Sequence, residues 1–441
     1  MGRLFGTDGV RGLAGTELTA DLARGLGAAA VRVLGPAFGD RPCFVVGRDP
    51  RDSGVWLEQA LVEGITSAGG DAWLIGVEPT PAIAFLTTDL GAASGIVISA
   101  SHNPPAYNGI KFFSSEGMKL PDAVEDELEA ALADPPLSAR RGEVRELSEG
   151  RERYLAHLQG AALARLDGMR VVIDCANGSA STVAPVLLRR LGAEVTAIHA
   201  EPDGANINDG CGALHPDVVA AEVVRLGADA GVSHDGDADR ALFADAAGNV
   251  IDGDQVLAAS AVAMKADGSL AGDAVVGTVM SNVGFLQAMQ REAIRVIQAA
   301  VGDRYVLEEM QAHGAMLGGE QSGHLIFRAF ATTGDGLLTA VRFLTLSAAR
   351  RVGLADLAAV MRRYPQVMVN VIVRDRDALP GAEPVWEAVS GAEGELQGRG
   401  RVLVRASGTE PLIRVMVEAE TEEEARTHAE SIADVARAEL G

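Results

Sequence analysis

The stretch Gly95-Ile-Val-Ile-Ser-Ala-Ser101-His102-Asn103-Pro104 decides how this 441-residue chain is read. An apolar, β-branched run stops at a small, polar, turn-forming cluster. The pattern predicts a buried strand that delivers a hydroxyl to a loop at its C-terminal end. In open α/β sheets, ligands gather at that end of the strands. Ser101 lies between Ala100 and His102, so its Oγ is expected to be little shielded.

Outward from this stretch, one pattern recurs three times. Pro42-Cys-Phe-Val-Val-Gly-Arg-Asp49, Met169-Arg-Val-Val-Ile-Asp-Cys-Ala-Asn-Gly178 and Asp273-Ala-Val-Val-Gly-Thr-Val-Met-Ser-Asn282 each read as strand, then turn, then helix. A second strand follows each at βαβ spacing: Asp71–Gly76, Ala193–Ile198 and Ile294–Gln298. A third strand then runs into a glycine-rich polar loop: Ser99–Asn108, Ser233–Arg240 and Gly318–His324. The last part differs. Val367–Val373 alternates as a strand, Arg401–Glu418 reads as two strands around a polar loop, and Thr421-Glu-Glu-Glu424 opens an amphipathic helix as a capping box. The fold class is therefore α/β: three successive similar α/β units with mixed sheets, plus a smaller C-terminal α+β domain. The expected boundaries are 1–150, 151–250, 251–365 and 366–441.

Hydrophobic residues make up 48% of the chain, and no apolar run approaches the ~20 residues of a membrane span. The glycine-rich, charged start is unlike a signal peptide. Three cysteines, Cys43, Cys175 and Cys211, make no metal spacing, so a reduced cytoplasmic protein without disulfides is expected. The net charge of -23 argues against nucleic acid or anionic membrane as a partner. A phosphate-bearing substrate would need a local cluster of cations and backbone N–H groups.

The loops carry the chemistry. Asp235, Asp237 and Asp239 alternate, and in an extended loop they would converge on one hard cation. All-oxygen ligands suit Mg²⁺ or Ca²⁺ rather than zinc, and Arg240 beside them reads as a phosphate partner. An EF-hand fails, since Arg240 and Ala246 stand where glycine and glutamate are needed. In Gly318-Gly-Glu320-Gln321-Ser322-Gly-His324, Glu320 and Ser322 would share a face of an extended loop and bind sugar hydroxyls or an amine. Arg405, Ser407, Gly408, Thr409 and Arg414 compose a phosphate nest. Arg11, in the glycine-rich segment Phe5–Gly12, is placed to reach the site, and Lys111 reads as a general base or phosphate partner. His102 is read as positioning, because adjacent side chains of an extended chain diverge. Ser101 lacks the Gly-x-Ser-x-Gly elbow, and neither a Walker A sequence nor a dinucleotide fingerprint is present. A serine, a hard-cation site, a polyhydroxyl loop and a phosphate nest together fit phosphoryl transfer through a phosphoserine.

These residues resemble the α-D-phosphohexomutase family over essentially the whole chain. The likeness is carried by Phe5–Gly12, Ser99–Pro104, Asn206–Gly212 and Gly319–His324, and is strongest to the amino-sugar members, with Gln321 where mannose and glucose members tend to have Met. It implies four domains around a central cleft. It implies a phosphoserine at Ser101, and one Mg²⁺ per chain held by Ser101, Asp235, Asp237 and Asp239. Lys111 and Arg11 would flank the phosphoserine, with Lys111 as base. Glu320 and Ser322 would bind the sugar and the C-terminal nest its phosphate; Arg240 and His324 are grouped with them as substrate-binding. The implied reaction interconverts glucosamine 6-phosphate and glucosamine 1-phosphate through a hexosamine 1,6-bisphosphate that is intermediate and activator, feeding UDP-N-acetylglucosamine and cell-wall precursors. A small phosphosugar is the expected partner, with a homodimer implied. The alternatives are a phosphomannomutase/phosphoglucomutase of the same family, a haloacid-dehalogenase-type phosphatase with Asp235 as nucleophile, or a silent sugar-phosphate-binding protein.

Overall fold

A computed structural model describes residues 3–6, 8–133, 138, 140–407 and 411–441. The chain divides into two compact units: residues 1–280 with 294–360, and residues 281–293 with 361–441.

The first unit holds three sheets. The first contains β1 (Val10–Leu13), β2 (Cys43–Arg48), β3 (Asp71–Val77), β4 (Ser94–Ile98), β5 (Tyr107–Phe113) and β6 (Val144–Glu146), in the order β1-β5-β4-β2-β3-β6. The second contains β7 (Arg170–Asp174), β8 (Glu194–Ile198), β9 (Ala230–His234), β10 (Ala241–Asp245) and β11 (Val250–Ile251), ordered β11-β10-β9-β7-β8. The third contains β12 (Ala274–Thr278), β13 (Arg295–Ala299), β14 (Leu317–Gly319) and β15 (Leu325–Phe327), ordered β13-β12-β14-β15.

The three share one topology. β3-β2-β4-β5, β8-β7-β9-β10 and β13-β12-β14-β15 each place three parallel strands beside one antiparallel strand. The expected repeat is therefore real. Helical crossovers join the parallel strands, and a direct connection joins the last parallel strand to the antiparallel one. That connection is the polar loop in every unit. β4, β9 and β12 are buried along their whole length, which is why they read as unbroken apolar runs rather than alternating ones. The helix Asp52–Ser67 covers one face of the first sheet together with Ala20–Leu34, and buries Leu57, Leu61 and Ile65 against Phe44, Val46 and Ile96.

In the second unit, β16 (Gln366–Ile372), β17 (Arg401–Ala406) and β18 (Leu412–Glu418) form an antiparallel sheet ordered β16-β18-β17. Helices Glu383–Leu396 and Glu422–Leu440 supply its core with Val385, Leu396, Ala429 and Ile432. Thr421 caps the second helix by accepting from the Glu424 N–H, as its sequence predicts. Among the described residues, no helix is long and apolar enough to cross a membrane.

Candidate active site

Ser101 follows β4 in a tight turn with φ 50°. Its N–H donates to Ser99 Oγ at 2.9 Å, and Ser99 in turn donates to Asp49 Oδ2 at 2.6 Å. Beneath the loop lies Arg51, fully buried. Its Nε donates to Asp49 at 2.9 Å, and its terminal nitrogens donate to the carbonyls of Ser101, Asn103, Pro104 and Tyr107 at 2.5–3.0 Å. Asn208 Nδ2 donates to the carbonyls of Ser101 and Asn103 from the other side, at 2.9 and 3.2 Å. The Ser101 loop is thus held by its backbone oxygens.

Two expectations change here. Ser101 is not exposed by its small neighbours; it is only 2% accessible, because the Asp235 loop covers it. Its Oγ donates to Asp235 Oδ2 at 2.7 Å. Nor do Ser101 and His102 diverge. The left-handed backbone at Ser101 turns the two side chains together, so that Oγ stands 3.3 Å from His102 Nδ1. Burial, then Arg240 and Arg11, lower the His102 pKa and keep the ring neutral, able to accept a proton.

The aspartate loop Asp235–Arg240 is a turn rather than an extended segment, with Ala238 at φ 58°. The turn still gathers Asp235, Asp237 and Asp239, whose carboxylate oxygens lie within 4.8 Å of one another. Burial, with Asp239 and Asp237 adding to it, pushes the Asp235 carboxyl well above the usual carboxylate range. Asp237 Oδ1 and Asp239 Oδ1 are buried with no hydrogen-bond partner. Three buried carboxylates on one small space, two of them with an unused oxygen, fit a hard divalent cation. The loop is tied to the first sheet's domain by Thr80, whose Oγ1 donates to Asp237 Oδ2 at 2.7 Å.

Lys111, on β5, is buried and bonds Asp237 at 2.9 Å and Asp8 at 3.0 Å. Burial alone would lower its pKa; Asp237 and Asp8 outweigh that and raise it above the ordinary lysine value. In this arrangement Lys111 is a cation and proton donor, and it becomes a base only after giving up that proton. Asp8 also pairs with Arg11 and Lys119, and Lys119 pairs with Asp303. His324 stands 3.8 Å from Asp303 and 3.5 Å from Asp239. The Gly334 N–H donates to His324 Nε2 at 3.1 Å, which leaves the ring proton on Nδ1, facing Asp239. These contacts close a ring: Asp237, Lys111, Asp8, Lys119, Asp303, His324, Asp239.

The ring borders a cleft of about 560 Å³ lined by Arg11, Ser101, His102, Asp239, Arg240, Asp303, Glu320 and His324, among others. All three polar loops therefore meet, as the repeat predicts. The third is a turn, not an extended strand: Gly323 N–H donates to the Glu320 carbonyl at 3.0 Å. Glu320 lines the cleft and accepts from Gly302 N–H at 3.0 Å, whereas Ser322 Oγ is buried without a hydrogen-bond partner.

In the second unit, Arg405 and Arg414 are direct partners across β17 and β18. Like charges placed opposite destabilise a sheet unless an anion lies between them. Partial burial, then Arg414, lowers the Arg405 pKa. Ser407 accepts from Arg376 through its carbonyl at 2.6 Å. Gly408 and Thr409 lie outside the described residues.

Sequence reasoning missed Asp49, Arg51, Asp8, Lys119, Asp303, Thr80 and Asn208. Asp49 and Arg51 do carry a signal: they follow β2 at its C-terminal end, where this fold collects functional groups.

Four phosphoglucomutase/phosphomannomutase models match the chain: alpha/beta/alpha domain I over residues 2–136, domain II over 152–248, domain III over 252–364 and the C-terminal domain over 368–435. Phosphoglucosamine mutase of Streptomyces griseus subsp. griseus is 54% identical over 452 residues, covering all of both chains. That of Moorella thermoacetica is 53% identical over 430 residues, covering 96% of this chain and 97% of its own. A phosphoglucomutase/phosphomannomutase family protein of Burkholderia thailandensis superposes with a TM-score of 0.83 at 24% identity, over 99% of this chain and 97% of that one, and shows the same fold.

Proposed function

The chain belongs to the phosphoglucomutase/phosphomannomutase family, and within it we propose that it is an intramolecular phosphotransferase interconverting glucosamine 6-phosphate and glucosamine 1-phosphate. The observation that carries the reading is the Ser101 hydroxyl, buried at the head of the cleft and bonded to a carboxylate of the three-aspartate turn. The amino sugar is supported by the phosphoglucosamine mutases that match at 54% and 53% over nearly the whole chain. We assign the domains to residues 1–150, 151–250, 251–365 and 366–441.

In the proposed cycle Ser101 carries the phosphoryl group. The phosphorus–oxygen bond to Ser101 breaks as one forms to the free sugar hydroxyl, and the 1,6-bisphosphate turns over before returning its other phosphate. Asp235, Asp237, Asp239 and the phosphoserine would hold Mg²⁺, which when bound offsets charge on the transferring group. Arg11 and Arg240 supply fixed positive charge at the cleft wall. His102 Nδ1 and Asp235 are the groups that exchange a proton with Ser101 Oγ, at 3.3 and 2.7 Å. Lys111, held by Asp237 and Asp8, would exchange a proton with the sugar hydroxyl, acting as base once its own proton has been given up. Glu320 and His324 orient the sugar from the third loop. The paired Arg405 and Arg414, with Ser407, Gly408 and Thr409, take the substrate's own phosphate. The chain would act in the cytoplasm, as a homodimer.

The test is ³¹P NMR of the protein with Mg²⁺ and a trace of hexose 1,6-bisphosphate, given glucosamine 6-phosphate, mannose 1-phosphate or glucose 1-phosphate in separate tubes. Fastest isomerisation of the glucosamine ester without free phosphate is expected. A faster mannose or glucose ester would reassign the sugar, and accumulation of free phosphate would replace the mutase with a phosphatase.

A further inference from the structure

A second cluster of ligating groups lies in the domain of β7–β11, apart from the residues that line the cleft. Asp174 ends β7, His199 follows β8, and Cys211 precedes the turn Gly212–Leu214. One carboxylate oxygen, one ring nitrogen and the thiol sulfur lie within 4.8 Å of one another. His199 Nδ1 is 3.1 Å from Asp174 Oδ2.

Asp174 has an ordinary structural use, since its two oxygens accept from Ala176 and Gly212 N–H at 2.9 and 3.0 Å. That does not account for the other two groups. His199 Nδ1 is buried without a hydrogen-bond partner, although it faces the carboxylate. The Cys211 side chain is fully buried, and burial and Asp174 push its thiol up to about 12. A buried imidazole nitrogen and a buried thiol thus converge on a carboxylate with nothing between them.

We propose that Asp174, His199 and Cys211 form a binding site for a thiophilic divalent cation of the zinc type, distinct from the hard-cation site of the three aspartates. The donor set decides the class. Mg²⁺ and Ca²⁺ take oxygen ligands, whereas a mixed sulfur, nitrogen and oxygen set suits Zn²⁺. Bonds of about 2.0–2.3 Å in a tetrahedron separate ligand atoms by roughly 3.3–3.8 Å. The His199–Asp174 edge is already that short, and the thiol has at most about an ångström to close. Three protein ligands leave a fourth position for water, and the half-exposed His199 gives the ion a route in. On binding, the sulfur–hydrogen bond of Cys211 is exchanged for a sulfur–metal bond and the proton leaves to solvent.

The site adjoins the reactive loop. The Ala176 carbonyl, beside Asp174, accepts from Asn208 N–H at 2.9 Å, and the Asn208 side chain holds the Ser101 carbonyl. Occupancy would therefore stiffen a segment that positions Ser101.

The test is an anaerobic Co²⁺ titration of the reduced, full-length protein with Mg²⁺ in excess. One equivalent should produce a thiolate-to-cobalt charge-transfer band. The band should vanish in Cys211→Ser and weaken in His199→Asn. It should persist in Cys43→Ser and in Asp237→Asn. No such band at one equivalent, or a band that survives Cys211→Ser, overturns the proposal. Should Cys211→Ser fail to fold, the surface variant His199→Asn decides alone: unchanged affinity for Co²⁺ in that variant overturns it.

Discussion

Replacing Arg51 by lysine should loosen the Ser101 loop without removing any group that faces the cleft. Arg51 is fully buried and donates five hydrogen bonds: one to Asp49 and four to carbonyls of residues 101–107. An ammonium has three donors. At least two bonds from a charged donor are therefore lost, at about 1.5 kcal/mol or more each, so the loop is destabilised by ~3 kcal/mol. The carbonyls of Ser101 and Asn103 keep Asn208, which is why the cost is not larger. Amide hydrogen exchange reads the effect directly. Ser101 N–H and Asn103 N–H, which bond Ser99 Oγ and the Ala100 carbonyl, should exchange on the order of 100-fold faster. Protection elsewhere, as in β7 and β8, should stay within a few-fold. Phosphoryl incorporation at Ser101 should fall with the loop's protection. Unchanged exchange at residues 99–109 in a natively folded Arg51→Lys protein would refute the argument that Arg51 holds the loop.

Ser101→Ala should abolish both isomerisation and phosphoryl incorporation from hexose 1,6-bisphosphate, measured by ³¹P NMR and intact mass; net phosphate release surviving in this variant would favour Asp235 as nucleophile instead. Asp237→Asn removes one carboxylate that carries an unused oxygen and one partner of Lys111, so the Mg²⁺ concentration needed for half-maximal activity should rise about 10-fold or more, read by titrating the metal in steady-state assays. Arg414→Ala should raise KM for the phosphosugar about 10–100-fold, the loss of one charge-assisted bond to phosphate, while cation affinity stays unchanged. Glu78 is buried against Arg151, and burial lifts its pKa from 4.5 to about 7. The folded chain therefore holds this proton more tightly than the unfolded chain, and its contribution to stability is lost as pH rises from 4.5 to 7, by on the order of 3 kcal/mol. Glu78→Gln should flatten that part of the stability–pH curve in urea melts; an unchanged slope would show that Arg151 keeps Glu78 ionised.

The threefold repeat and the loops it delivers were legible because fully buried parallel strands leave unbroken apolar runs that end at punctuating glycines and polar residues. Ser101, the three aspartates, Glu320 and His324 follow from that reading. What it got wrong came from assuming extended loops. Positive φ at Ser101 and Ala238 converts those stretches into turns, which brings His102 onto Ser101. The third loop is likewise a turn, closed by the Gly323 N–H on the Glu320 carbonyl. What it missed was long-range. Lys119 and Asp303 are ordinary charged residues in the sequence, and only the folded unit pairs them; Asn208 acts on Ser101 from a different domain of that unit. Arg51 resembles any strand-end arginine until its burial is seen.

The Ser101–Asp235 hydrogen bond has a thermodynamic consequence. The serine hydrogen occupies an oxygen of Asp235, one of the carboxylates proposed to hold the cation. On the proposed cycle, phosphorylation deletes that hydrogen, releases the oxygen and adds charged phosphoryl oxygens beside it. Phosphorylation state and cation occupancy are then linked variables of one equilibrium. Whatever factor the phosphoryl group adds to cation affinity, the cation must add to the free energy of keeping the serine phosphorylated. On that cycle, a chain resting in the phosphorylated form would also be the chain that retains its cation, and depletion of either should be felt as depletion of both.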